Sequence, residues 1–208
     1  MSKPVIGFIG LGLMGGNMVE NLQKKNYPLV VMDLNQNAVN ACVEKGASSA
    51  STAKELAEQA DIIMLCLTTS AVVEKVIYGE NGIMEGVKSG TTLIDFGTSV
   101  PASTRKIGAD LAEKGVGMID APLGRTPAHA KDGLLNIMAA GDPETFAKVK
   151  SVLEDQGENV FYLGALGAGH TTKLINNFMG MTTVCAMSQA FAVADKAGVD
   201  RQQLFDIM

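Results

Sequence analysis

Residues 5–9 form an unbroken apolar run, and Gly10-Leu11-Gly12-Leu13-Met14-Gly15 follows it directly, ahead of a helical pattern that starts at Asn17. That succession constrains the chain more than any other part of it. A short apolar run bounded by turn residues suits a strand buried on both faces, as in a parallel sheet covered by helices. In the loop, the first glycine permits a tight turn, the second lets a bound group come close to the backbone, and the third lets the next helix pack on the strand. The amides at the start of that helix, reinforced by its dipole, make a seat for an anion. The alternation continues downstream. Further strand-like runs cover residues 29–32, 62–67, 92–96, 118–119 and 136–140, and helical stretches cover 17–25, 38–45, 53–59, 102–114 and 143–154. Thr52 with Glu55 is a capping-box pattern, and Asp142 ahead of Pro143 places a cap before a proline at the first helical position.

Asp33 ends the second apolar run, 18 residues past Gly15, close to the roughly 20 at which an acid meets a ribose hydroxyl. Strand, glycine turn, helix, strand and acid together predict an α/β domain of the Rossmann type, a doubly wound and mostly parallel sheet that binds a dinucleotide. Leu34 and Asn35 follow the acid, with no arginine to receive a 2′-phosphate, so NAD is expected rather than NADP. The expected cofactor contacts are Gly10, Leu11, Gly12, Leu13, Met14, Gly15 and Asp33. Leu67, Thr68 and Thr98 join them because they lie at the carboxyl ends of later strand runs, where ligands bind in open α/β sheets. After Leu163 the texture changes, through Gly164, Gly167 and Gly169, into a stretch 171–198 that predicts a long helix. The domains are expected at 1–163 and 164–208, the second being the linker, the long helix and the start of an all-helical domain. The last stretch, 200–208, stops on Phe205, Ile207 and Met208, and this bare apolar end predicts a longer natural chain and a homo-oligomer.

Composition excludes several functions. The 17 basic and 22 acidic residues give a net charge of −5, and the longest basic runs are pairs, so no nucleic-acid surface is expected. No apolar stretch approaches the roughly 20 residues of a membrane span, and the start lacks a cleavable leader, so a soluble, cytoplasmic protein is expected. Cys42, Cys66 and Cys185 are scattered, which predicts buried thiols rather than disulfides or a metal site. Met179, Met181 and Met187 predict adaptable core, and His129 and His170 read as polar loop or helix-start residues.

The chain resembles the β-hydroxyacid dehydrogenases, the family of 3-hydroxyisobutyrate dehydrogenase and tartronate semialdehyde reductase. The resemblance rests on residues 7–15 with Met18, Asn21 and Leu22, on Asp120-Ala121-Pro122, and on Gly167, Gly169, Lys173, Asn176 and Asn177, and it covers essentially all 208 residues. It implies an NAD(H)-dependent oxidoreductase and a homo-oligomer, dimer or tetramer. Family chains continue further and supply another lysine near the cofactor. Where the family reads Ser-Gly-Gly after Asp-Ala-Pro and one apolar residue, this chain has Gly124-Arg125-Thr126, a variant similar to the sulfolactaldehyde reductases. A serine associated there with the sulfonate is Gly180 here.

At about 100° per residue, Lys173, Asn176, Asn177 and Gly180 share one helix face. Lys173 is the expected general acid/base for a carbonyl accepting hydride, with its pKa lowered by desolvation or by a nearby cation such as Arg125. Asn177 would orient the lysine or the substrate hydroxyl. Gly124, Arg125, Thr126, Thr98 and Asn176, together with Lys173 and Asn177, form the expected substrate site. Its ligand would be a small anionic aldehyde or hydroxyacid, with 3-hydroxyisobutyrate and tartronate semialdehyde as alternatives to a sulfolactaldehyde. The competing expectation is a catalytically silent NAD-binding module or sensor.

Overall fold

The structure, a computed structural model, describes residues 3–208. It divides into a unit reaching to Thr171 and a second, Thr172–Met208. The first unit is built on β1 (Ile6–Ile9), β2 (Leu29–Met32), β3 (Ser48–Ser49), β4 (Ile62–Leu65), β5 (Thr92–Asp95), β6 (Gly117–Asp120), β7 (Leu123–Gly124), β8 (Leu135–Gly141) and β9 (Gly157–Tyr162). The strand order is β3-β2-β1-β4-β5-β6-β8-β7, with β9 paired to β8. From β3 to β6 every pairing is parallel, and β8 runs antiparallel to β6 and β7. The order reverses direction between β1 and β4, so the crevice at their carboxyl ends is the position where such sheets take ligands.

Alternation along the strands sends side chains to two cores. Ile6, Phe8, Val31 and Met64 pack on one face with Met18, Val19 and Leu22 of α1 (Gly15–Lys24), and with Val149 and Leu153 of α8 (Pro143–Gln156). Ile9, Ile63, Leu65 and Leu93 pack on the other with Leu56 of α3 (Ala53–Gln59), Ile77 of α4 (Ser70–Tyr78) and Ile107 of α6 (Pro101–Ala112). Burial on both faces is what makes these strands continuously apolar. The expected caps form, with Thr52 Oγ1 accepting from Glu55 N at 3.1 Å and Asp142 Oδ2 from Thr145 N at 2.9 Å.

The remaining helices are α2 (Gln36–Val43), α5 (Ile83–Gly86), α7 (Pro127–Lys131), α9 (Ala168–Ala197) and α10 (Arg201–Ile207). The sequence pattern passed over β3, β7, β9, α4, α5 and α7. In α4 the β-branched run around Val72, Val73, Val76 and Ile77 carries no helical preference of its own, and Thr69, accepting from Val72 N at 3.3 Å, starts the helix. β4 also ends at Leu65, which leaves Leu67 in the following loop. The long helix starts at Ala168, a turn earlier than its composition indicated.

Three expectations about burial are corrected. Cys185 is exposed rather than a buried thiol, and Met179, Met181 and Met187 are 67%, 63% and 38% exposed rather than core. A unit made of one long and one short helix has too few layers to cover them. His170 stands in the first turn of α9, as expected, but is fully buried there. Among the described residues no helix is long and apolar enough to cross a membrane.

Candidate active site

The loop after β1 gives its glycines separate work. Gly10 stands at φ +100°, and a Cβ there would lie 2.3 Å from the Cys66 carbonyl oxygen; one on Gly15 would lie 1.9 Å from the Gly10 carbonyl oxygen. A Cβ on Gly12 would meet nothing within 4 Å. Two glycines therefore serve the chain's own packing, and the middle one faces the open space a pyrophosphate needs. Leu11 is buried beneath the turn, while Leu13 is 81% exposed. Met14, the N-cap of α1, makes no side-chain cap bond, and the first turn holds no acid, so the positive end of the helix is left to an external anion.

Asp33 is half-buried just past β2. Its Oδ2 accepts from Leu11 N at 2.6 Å and its Oδ1 from Asn35 N at 2.7 Å. A carboxylate offers about four acceptor positions, so capacity remains for a ligand hydroxyl. Beside it opens a cleft of about 390 Å³ whose walls include Gly10, Asp33, Leu34, Leu67, Val72 and Lys75. An apolar wall with an acid at one end suits a base and its ribose. Lys75 was missed from the sequence because α4 itself was. Thr68 is exposed, as is Thr98, which stands between the buried residues Gly97 and Ser99. These residues, open space at Gly12, a helix end without its own anion and an acid tied to the loop, fit a dinucleotide.

A second cluster lies at the ends of β5 and β6, where Asp95 and Asp120 are register partners. Asp95 accepts from Gly97 N at 2.8 Å and from Ser99 Oγ at 2.9 Å. Asp120 accepts from the amides of Gly167 and His170, each at 2.7 Å, and so caps the first turn of α9 from a distant strand. Burial pushes the Asp120 carboxyl up, and those two amide bonds pull in the opposite direction. Sequence reasoning missed this cluster as a unit because Asp95, Asp120 and His170 stand 25 to 75 residues apart, although Asp120 and Gly167 each carried part of the family resemblance.

In the loop after β7, Arg125 holds φ +75°. Its Nη1 donates to the Leu134 carbonyl oxygen at 2.7 Å and pairs with Glu158. Thr126 Oγ1 lies 2.7 Å from His129 Nδ1. Gly124 is backed by Asn136, whose Cβ would lie 3.2 Å from a Cβ at that glycine. In the second unit, Lys173, Asn176 and Asn177 follow the i, i+3, i+4 spacing of one helix face on α9. Lys173 is half-buried and the two amides are exposed. Burial lowers the Lys173 pKa below the ordinary lysine range.

Sheet order, glycine loop and acid define a Rossmann-type dinucleotide-binding domain leading into a long helix. Residues 5–164 match the family described as the NAD binding domain of 6-phosphogluconate dehydrogenase, and residues 167–208 match NAD-binding of NADP-dependent 3-hydroxyisobutyrate dehydrogenase. The chain is 36% identical over 206 residues to a probable mitochondrial 3-hydroxyisobutyrate dehydrogenase of Dictyostelium discoideum, an alignment covering 99% of this chain and 64% of that protein. It is 36% identical over 190 residues to 3-sulfolactaldehyde reductase of Escherichia coli, covering 91% of this chain and 64% of that one. The solved 3-hydroxyisobutyrate dehydrogenase of Mycobacterium tuberculosis, described with L-serine, matches with a TM-score of 0.91 at 28% identity, over 99% of this chain and 69% of that one. The chain belongs to the β-hydroxyacid dehydrogenase family. It spans 64% of the length of the two curated relatives named above.

Proposed function

We propose that the chain carries the nucleotide-binding and proton-transfer parts of an NAD(H)-dependent oxidoreductase. Its substrates are a small anionic aldehyde, of the semialdehyde or sulfolactaldehyde type, and the corresponding hydroxyacid. The observation that carries this is Lys173, a half-buried lysine of lowered pKa on the helix that follows a dinucleotide domain. The names of the relatives, a hydroxyacid dehydrogenase and an aldehyde reductase, support the substrate class.

When bound, the nicotinamide cofactor supplies or accepts the hydride. The open side of Gly12 and the start of α1 hold the pyrophosphate, and Asp33 takes the ribose hydroxyls and repels a 2′-phosphate, which selects NAD over NADP. Leu67, Thr68 and Thr98 line the nicotinamide side. In reduction Lys173 gives a proton to the carbonyl oxygen as charge develops on it; in oxidation it takes one from the hydroxyl. Its lowered pKa brings the neutral, proton-accepting form closer to neutral pH. Asn177 orients the lysine or the substrate hydroxyl. Gly124, Thr126, Asn176 and the planar fork of Arg125 hold the acid end. Exposed Ile175, Phe178 and Met179 support a homo-oligomer, and the free thiols support a reducing, cytoplasmic setting.

Lys173→Ala in the intact protein tests this against 3-hydroxyisobutyrate, tartronate semialdehyde and sulfolactaldehyde. Turnover is expected to fall by about 10²- to 10⁴-fold, with NADH binding by fluorescence retained. In the parent, oxidation should rise with pH as Lys173 loses its proton, at a midpoint below that of a solvated lysine, and reduction should fall over the same range. Undiminished turnover removes the lysine from the mechanism. NADH binding with no turnover in the parent on any of these substrates favours the silent nucleotide-binding module.

A further inference from the structure

Among the described residues two buried side-chain atoms lack a hydrogen-bond partner, Gln156 Oε1 and Nε2 of the His170 ring. His170 is fully buried. The ring reaches three elements besides its own. Thr104 Oγ1 of α6 lies 2.8 Å from Nδ1 and 3.3 Å from the Val100 carbonyl oxygen. Nε2 faces Asp95 Oδ2 of β5 at 3.7 Å, and Nδ1 lies 3.7 Å from Asp120 Oδ2 of β6.

Each of those carboxylates shapes one segment. Asp95 fixes the loop 97–99 through Gly97 and Ser99, and Asp120 fixes the start of α9 through the amides of Gly167 and His170. The helix start sits so close that a Cβ on Gly169 would lie 2.3 Å from the Met138 carbonyl oxygen. Two buried acids on adjacent strands turn acceptor oxygens toward the ring, and an imidazole, with a nitrogen on each side, is the group that can face both. At 3.7 Å the Nε2–Asp95 contact is open, and a small shift closes it into a hydrogen bond when Nε2 carries the ring proton and the Thr104 hydroxyl donates to Nδ1.

We propose that His170 is a positioning residue that couples the loop 97–99 to the first turn of α9, so that a dinucleotide held against that loop orders the helix bearing Lys173 one turn further on. This rests on the assignment of Thr98 to the cofactor and of Lys173 to proton transfer made above.

Hydrogen exchange of the amides at 97–99 and 167–171 tests it, with and without NADH, in the intact parent, His170→Ala and His170→Gln. In the parent, NADH should slow exchange at both segments by about tenfold or more, within the usual range of coupling between sites. In His170→Ala the protection should persist at 97–99 and vanish at 167–171, and kcat should fall more than NADH affinity. His170→Gln, whose amide reaches the same acceptors, should restore part of both effects. If His170→Ala does not fold, Thr104→Val, which removes the Nδ1 partner together with the 3.3 Å bond to the Val100 carbonyl oxygen, should weaken the protection at 167–171 in the same direction. The inference is overturned if NADH protects 97–99 but not 167–171 in the parent, or if His170→Ala, or Thr104→Val in its place, transmits protection as the parent does. Absence of NADH protection at 97–99 in the parent overturns the cofactor assignment itself, and the coupling with it.

Discussion

Asp33 and Asp120 both stand at the carboxyl end of the sheet, and both accept two backbone amides at 2.6–2.7 Å. They differ in what surrounds the rest of the carboxylate. Asp33 is half-buried and lines an open cleft; Asp120 is fully buried beneath the His170 ring. The same residue type in the same topological place therefore keeps acceptor capacity facing open space in one case, the one proposed to take a ligand, and is spent inside the chain in the other. Glycine shows the same division, with Gly15 packed against backbone and Gly12 facing nothing.

Substitutions at these four positions sharpen or break that contrast. The largest effect is expected at Gly15→Ala, because a Cβ 1.9 Å from the Gly10 carbonyl oxygen forces the turn and α1 apart. Overpacking of this kind costs about 3 kcal/mol, read as a lower midpoint in denaturant. Gly12→Ala should leave that midpoint in place and weaken NADH binding alone; equal destabilisation by the two would dissolve the distinction. Asp120→Asn comes next. Its amide accepts one of the two N–H groups and points its own NH₂ at the other, a loss of about 1–3 kcal/mol visible as a reduced Tm. Asp33→Asn is the mildest for the fold. It should scarcely move Tm, weaken NADH by about tenfold, some 1.4 kcal/mol, and narrow the gap between NADH and NADPH. A large Tm loss there would make Asp33 as structural as Asp120.

What could be foreseen from the sequence follows the same line. The glycine loop and Asp33 are legible because their chemistry lies in one strand-turn-helix-strand unit, where spacing alone fixes geometry. The two-sided burial of β1, β2, β4 and β5 is legible for a similar reason, since it writes itself into the strands as continuous apolar runs. The cluster of Asp95, Asp120, Thr104 and His170 is not, because parallel crossovers bring together residues whose separations carry no period. His170 in particular looks like an ordinary polar residue until β6 supplies the acid that caps its helix. β9, with Phe161 and Tyr162 exposed at 49% and 41%, lacks the apolar continuity that marked the inner strands.

Arg125 occupies left-handed backbone that suits glycine, at a cost of about 1–2 kcal/mol for a residue with a Cβ. Its partly exposed pairing with Glu158 does little to offset that. Trading the arginine for glycine would relax the backbone and delete the charge in one move. The backbone at this position thus favours glycine, and exchanging the two residues would switch a charge on or off beside β7 with no change asked of the sheet.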